Sequence, residues 1–385
     1  MLDKSTLEML SHLEIETLSR HYTLVIPPIL LDEILGDLYK GQDKVVSNEN
    51  KIDTTIIKKL ANKIFTHSAY KNTSYLGMCV ESLLGNDFMD NFCPFVQPTE
   101  VGTTTDGKTA AIINPDEGLK MIHDWKEGKF DKDQMECAKA WRMVNLNLED
   151  YKKDVQAIVP NIQANTLKDI FYTLSVRFDN VSDVNFHWKL INGFCDALAI
   201  PSEYRDQIAI RWQQQPSKFK QFAPYAYYCF LVRYTFIFGL AKNLIPTSKK
   251  AKARIDIQYA YYFPCARIFS SEDGFHNELW QAFGHSEQQL FVNGSTLKED
   301  LGNLHLHWET CSQEHKQNLY RTLPHPPVIE DSFTYKAFQK MVELDVLTPR
   351  EQLESHQMIK RSPEEEKALV ERIITNYEAV KQGKV

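Results

Sequence analysis

Four acidic residues lie where the chain could gather them for chemistry: Asp3 in "MLDKS", Glu33 in "PILLDEIL", Asp256 in "RIDIQYAYY" and Asp273 in "IFSSEDGF". Asp3 ends a short apolar start, and Asp273 ends the buried run "CARIFSSED". Glu33 sits on the helix expected after the strand "TLVI", and Asp256 on the helix that leads into the later strand. In open parallel sheets, sites form at the carboxyl ends of strands, so these acids share one crevice if the strands are neighbours. Crowded carboxylates repel, and some stay protonated near neutral pH unless a cation neutralises them. Hard oxygen ligands select Mg²⁺ or Mn²⁺, which keep several waters and bind through a few carboxylates plus substrate phosphate.

The elements that must position these acids fall in two distant blocks. Residues 1–40 read as strand, helix, strand, helix: "MLD", then "STLEMLSHLEIETLSRHY" with leucines at helical spacing, then "TLVI", then "PILLDEILGDLYK" with prolines suited to a first helical turn. Residues 248–297 repeat that texture. "SKKAKARIDIQYAYYF" is a helix with Ser248 as its N-cap, "CARIFSSED" a strand, "NELWQAF" a helix and "QQLFVNGS" a strand. Alternation of this kind predicts an α/β domain with a parallel sheet flanked by helices. Residues 41–247 read as an insertion that is mostly helical, with a β-hairpin near 98–113 turning at Asp106-Gly107. Residues 298–385 are helical and polar, closing with a capping box at Ser362, Pro363 and Glu365.

The four segments resemble the signature segments of PIN-like metal-dependent nucleases: an aspartate closing strand one, a glutamate on a following helix, an aspartate on a later helix, and a Ser-x-Asp at the next strand end. Asp3, Glu33, Asp256 and Asp273 take those places, with Ser5 and Ser271 as the small hydroxyl residues beside the first and last. The match covers about residues 1 to 40 and 248 to 297, and Glu33 and Asp256 are 223 positions apart, so one long insertion must be accepted. The resemblance implies a PIN-like fold and phosphodiester hydrolysis assisted by Mg²⁺ or Mn²⁺, on RNA more than DNA. It implies Asp3, Asp256 and Asp273 as metal ligands, with Glu33 as a ligand or water-orienting base.

Lys249, Lys250, Lys252 and Arg254 precede Asp256 on one helix and are candidates for phosphate contact, with Lys218 and Lys220 behind them. Ser5, Ser271 and His276 are the further substrate-side candidates. A partner protein held by the insertion, with the acids vestigial, is the competing reading: a non-catalytic PIN-like scaffold, in a bacterial stress or defence system.

Each residue also has a plainer role. Asp256 pairs with Lys252 at i,i+4, Asp3 caps the helix "STLEML", Asp273 starts a turn before Gly274, and Glu33 is a solvated acid beside Asp32 and Asp37. Glu272 reads as the solvated neighbour of Asp273. "HLHW", His305–Trp308, reads as a strand with two histidines on one face and no third metal ligand.

The bulk numbers exclude little and permit much. At 385 residues with 43% hydrophobic content the chain builds an ordinary core, and a net charge of −7 leaves nucleic acid only a local basic patch. Seven dispersed cysteines without a CxxC pair fit reduced thiols in a cytoplasm, and the first ten residues lack a secretory pattern. "FAPYAYYCFLVRYTFIFGL" carries Arg233 at its centre, so it is expected as a helix buried in protein rather than a bilayer span. No internal repeat is found.

Overall fold

The structure, a computed structural model, describes residues 1–39, 54–65, 69–86, 89, 92–95, 100–103, 109–112, 116–143, 163–245, 250–285, 287–313, 316 and 326–344. It divides into two compact units, one built from Met1–Phe95 and Ile122–His325, the other from Val96–Met121 and Pro326–Val385. The expected boundaries at 40, 247 and 297 do not coincide with this division. The second unit contains the expected hairpin, Glu100–Thr103 antiparallel to Thr109–Ile112, and a helix Phe333–Glu343 capped by Ser332. The expected Asp106-Gly107 turn, Ser248 and the capping box at 362–365 lie outside the described residues.

The first unit is a mixed α/β structure dominated by helices. The leucine-rich segment expected as one helix is two, α1 (Lys4–Met9) and α2 (His12–His21). Ser11 makes the break: its side chain accepts from Glu14 N while Glu14 reaches back to the Ser11 N–H, a reciprocal cap that starts a new helix. The strand β1 (Leu24–Ile26) follows, then α3 (Pro28–Leu35) with Pro28 at its first position, where a missing N–H costs nothing. Helix α4 (Thr55–Phe65) leads to β2 (Ala69–Lys71), which pairs with β1 in parallel, and α5 (Tyr75–Leu84) comes next.

Later in this unit come α6 (Leu167–Asp179), α7 (Pro224–Ala241), α8 (Lys250–Ala260), β3 (Ile268–Ser270), α9 (Gly274–Phe283), β4 (Leu290–Val292) and α10 (Gly294–Thr310). Strands β3 and β4 pair in parallel. Residues 1–3 lie along the other edge of β3, with Ser270 N donating to Met1 O and Asp3 N to Ser270 O. Residues 1–3, expected as a strand, make only an isolated parallel bridge of Leu2 with Ser270, and through it the two distant acidic blocks meet at the edge of β3. Among the described residues, β1 and β2 form a separate parallel pair rather than one sheet with β3.

The segment "HLHW" is the last part of helix α10, not the expected strand, so His305 and His307 point in different directions. The run around Arg233 is α7, buried along most of its length, and no helix among the described residues is long and apolar enough to cross a membrane. Its tyrosines do more than fill space. Tyr225 Oη donates to Tyr261 O at 2.8 Å and Tyr228 Oη to Ala260 O at 2.7 Å. Carbonyls at a helix C-terminus lack intrahelical partners, so these two hydroxyls fix the end of α8 and with it the height of Asp256.

Candidate active site

Asp3 is buried at the N-terminus of α1, where Oδ1 accepts from Thr6 N at 2.8 Å. Its Oδ2 accepts from Ser5 Oγ at 2.6 Å and from Ser271 Oγ at 2.7 Å. Ser271, fully buried just past β3, has one proton to give, and it goes to Asp3. The same Oγ accepts from Asp273 N at 2.9 Å and lies 2.8 Å from His276 Nδ1. This accounting makes Nδ1 a donor and leaves Ser271 a strut beneath the carboxylate, closed to a substrate.

His276 is the centre of the arrangement. Nδ1 lies 3.4 Å from Asp3 Oδ2, and Nε2 lies 3.6 Å from Asp256 Oδ1, all three side chains being buried. Tyr259 and Phe269 flank the imidazole at ring distances of 5.0 and 5.4 Å, excluding water and strengthening each charge interaction. Burial pulls the His276 pKa down, but the hydrogen bond to Asp3 and the charges of Asp256, Asp3 and Asp273 outweigh it, and the net shift is upward. Asp3 moves the other way. Its burial opposes ionisation, yet His276, Ser5 and the Thr6 amide hold its carboxyl below the usual range.

Glu33, half-buried on α3, accepts a hydrogen bond from Tyr259 Oη. Loss of hydration pushes its pKa up to about 7, against the opposing pull of the Tyr259 hydroxyl and Lys4, and the Asp256 charge adds to the rise. Asp273, half-buried, is the N-cap of α9 and accepts from Phe275 N at 2.9 Å. The plainer reading of Asp3 as a helix cap is thus realised, whereas Asp273, expected to start a turn before Gly274, caps α9 instead, and both carboxylates act on the histidine. The four acids all lie near His276 or Tyr259, and a carboxyl with a pKa of about 7 beside Asp3, whose pKa is held low, suits proton transfer at neutral pH.

The basic candidates are placed differently. Arg254 is exposed and two positions from the buried Asp256, which on a helix is the opposite side. Lys249 lies outside the described residues, and of Lys250 and Lys252 only the backbone in α8 is described. Lys218 donates to Asp179 O, and Lys220 to Asp179 Oδ2 at 3.2 Å, so both serve α6 rather than the acids. Lys4 is the cation that stands close: its Nζ lies 2.6 Å from the buried Asp37 and influences Glu33.

Residues missed as partners were recoverable from spacing. Tyr259 follows Asp256 by three, and His276 follows Asp273 by three, so each shares a helix face with a named acid. The Lys4–Asp37 pair had no such signal.

Glu272 is not merely solvated: its Oε1 accepts the Ser295 N–H at the start of α10. The adjacent acids of "SSEDGFH" thus serve two different helix N-termini.

Comparison with protein-family models, with curated proteins and with solved structures found no match.

The donor chemistry fits a hard divalent cation, since every candidate ligand atom is a carboxylate oxygen. As they stand, no three His, Cys, Asp or Glu side chains among the described residues are grouped closely enough to hold a metal ion. The imidazole of His276 occupies the space between Asp3 and Asp256.

Proposed function

We propose that the chain is a Mg²⁺- or Mn²⁺-dependent nuclease with a PIN-like catalytic site, hydrolysing phosphodiester bonds of RNA in preference to DNA. The single observation that carries this reading is the convergence of Asp3, Asp256 and Asp273 on His276, with Glu33 beside them, from segments remote in the chain. Asp3, Asp256 and Asp273 would hold the cation, with Glu33 as a further ligand or as the base that orients water. When bound, it supplies charge neutralisation for the substrate phosphate and lowers the pKa of a coordinated water. The chain's own groups set the rest. Ser5, Ser271 and the Thr6 amide fix the Asp3 carboxylate, Tyr259 orients Glu33, and Glu33 with a pKa of about 7 accepts or returns a proton near neutral pH.

A second reading, a non-catalytic scaffold that binds a protein partner, rests on the His276 imidazole standing between Asp3 and Asp256. Both are tested by incubating the protein with labelled RNA and labelled single-stranded DNA, with and without Mn²⁺, beside Asp256→Asn and Asp273→Asn variants of verified fold. Mn²⁺-dependent cleavage lost in both variants supports the nuclease; no metal-dependent product from wild type supports the scaffold.

A further inference from the structure

Helix α10 begins in an unusual way. Its N-cap residue, Asn293, makes no side-chain capping bond. The Ser295 N–H is instead taken by Glu272, an exposed residue on the loop between β3 and α9. Behind this point lies Thr6, fully buried, whose Oγ1 has no hydrogen-bond partner among the described residues. That hydroxyl points at Gly294: a Cβ built there would stand 2.7 Å from Thr6 Oγ1 and 3.3 Å from Glu272 Cγ.

Together these features make an anion position. A helix N-terminus offers N–H donors without intrahelical partners and a partial positive charge, and it binds carboxylate and phosphate by the same interaction. Here the donors are joined by a buried hydroxyl without an acceptor among the described residues, an arrangement that costs free energy until an oxygen arrives. The absence of a Cβ at Gly294 lets Thr6 and Glu272 come this close to the helix start, and the oxygen now present belongs to an exposed side chain.

We infer that the N-terminus of α10, with Thr6 beneath it, is a phosphate subsite, and that the Glu272 carboxylate is an internal stand-in for a backbone phosphate of the nucleic-acid strand. This rests on the nuclease reading and extends it by naming where the strand is held. Position supports the link: Glu272 precedes Asp273, and Thr6 N is bonded to Asp3. A phosphate at α10 lies beside the acids, so the flanking nucleotide would be fixed next to the bond to be cut. Glu272 leaves as the strand enters, which makes the loop a competitor of its own substrate.

The test measures binding, not cleavage. Fluorescence anisotropy of a fluorescein-labelled single-stranded oligoribonucleotide is followed with the full chain in EDTA, for wild type, Glu272→Ala, Glu272→Gln, and Glu272→Ala combined with Thr6→Val. Thermal unfolding checks the fold of each, and Glu272→Gln keeps an amide oxygen for Ser295 N should the alanine variant unfold. Both single variants are expected to bind about fivefold tighter or more at low salt, with the gain shrinking as salt rises. The added Thr6→Val should abolish most of that gain. Binding no tighter than wild type in either variant overturns the inference and leaves Glu272 a helix cap. Displacement of the probe by inorganic phosphate at concentrations where an unlabelled oligoribonucleotide is no better also overturns the assignment to a strand. The two readings fail separately: Mn²⁺-dependent cleavage without an anisotropy gain rejects the subsite alone, and a gain without cleavage rejects the nuclease alone.

Discussion

Asp256 and Asp3 face the two nitrogens of one buried imidazole, His276 Nε2 at 3.6 Å from the first and Nδ1 at 3.4 Å from the second. The two carboxylates lie buried on either side of this ring, and their charges raise the His276 pKa against the opposing effect of burial. Replacing the ring by an amide removes the group that both buried carboxyls face. His276→Gln is expected to destabilise the protein by about 3–5 kcal/mol, the range for breaking a buried pair from one side. Urea unfolding at pH 7 measures it. If the acids also hold a metal, added Mn²⁺ should raise the midpoint of His276→Gln more than that of wild type; an equal or smaller rise would count against a shared cation site.

Tyr259 and Glu33 form a second unit of the same crevice. The hydroxyl stabilises the ionised carboxylate, so its removal should move the Glu33 pKa above about 7. Tyr259→Phe keeps the ring packing against Phe269 and isolates the hydrogen bond. The expected outcome is an upward shift in the Glu33 carboxyl titration followed by ¹³C NMR, with a stability loss of about 1–3 kcal/mol at pH values where Glu33 is ionised. An unchanged titration would show that the hydroxyl does not hold the carboxylate.

Much of this site is written in short-range patterns, and what is not depends on long-range packing. Asp256 and Asp273 are marked by a helix and a strand exit in the sequence, while Asp3 follows an apolar start that makes only one bridge to Ser270, which joins the two blocks. The same logic supplied β1 and β4 but not β2, where "AYK" is a partly exposed stretch with no apolar run to mark it. The break between α1 and α2 was legible in the Ser11–Glu14 spacing and was overridden by the leucine period. "HLHW" went the other way, because four residues cannot separate a period of two from one of 3.6. Glu272 binding α10, and Lys4 meeting Asp37, follow from the placing of whole elements, which no local pattern encodes.

Gly36, directly after α3, lets the helix Lys132–Met143 approach closely. A Cβ at this position would stand 2.4 Å from Trp141 Cδ1, well inside contact distance. Gly36→Ala is therefore expected to cost about 1–3 kcal/mol through overpacking. In the double variant with Trp141→Leu, most of that cost should vanish, since the smaller side chain vacates the space. A double-mutant cycle by chemical denaturation gives the coupling; additive effects would mean that the ring is not the obstacle.

Lys63 connects α4 to the C-terminus of α1, and its behaviour with pH is distinctive. Its side chain is fully buried, and Nζ donates to Leu7 O at 2.7 Å and Glu8 O at 3.1 Å, carbonyls that the end of α1 leaves without helical partners. Lys63→Met strands those carbonyls and should lower stability by about 1–3 kcal/mol at pH 7. Burial, followed by the charge of Lys59, lowers the ammonium pKa from 10.5 to about 8. Below pH 8 both folded and unfolded chains carry this proton, and the folded chain bears the full cost of burying it. Between about 8 and 10.5 the folded form has released the proton while the unfolded form still binds it, so rising pH favours folding at this group. The neutral amine still donates to both carbonyls, so the advantage of wild type over Lys63→Met should widen across that window. Urea unfolding of both proteins at pH 7, 8, 9 and 10 measures the difference and cancels groups common to the two. A gap that stays constant or narrows with rising pH would refute the depressed pKa.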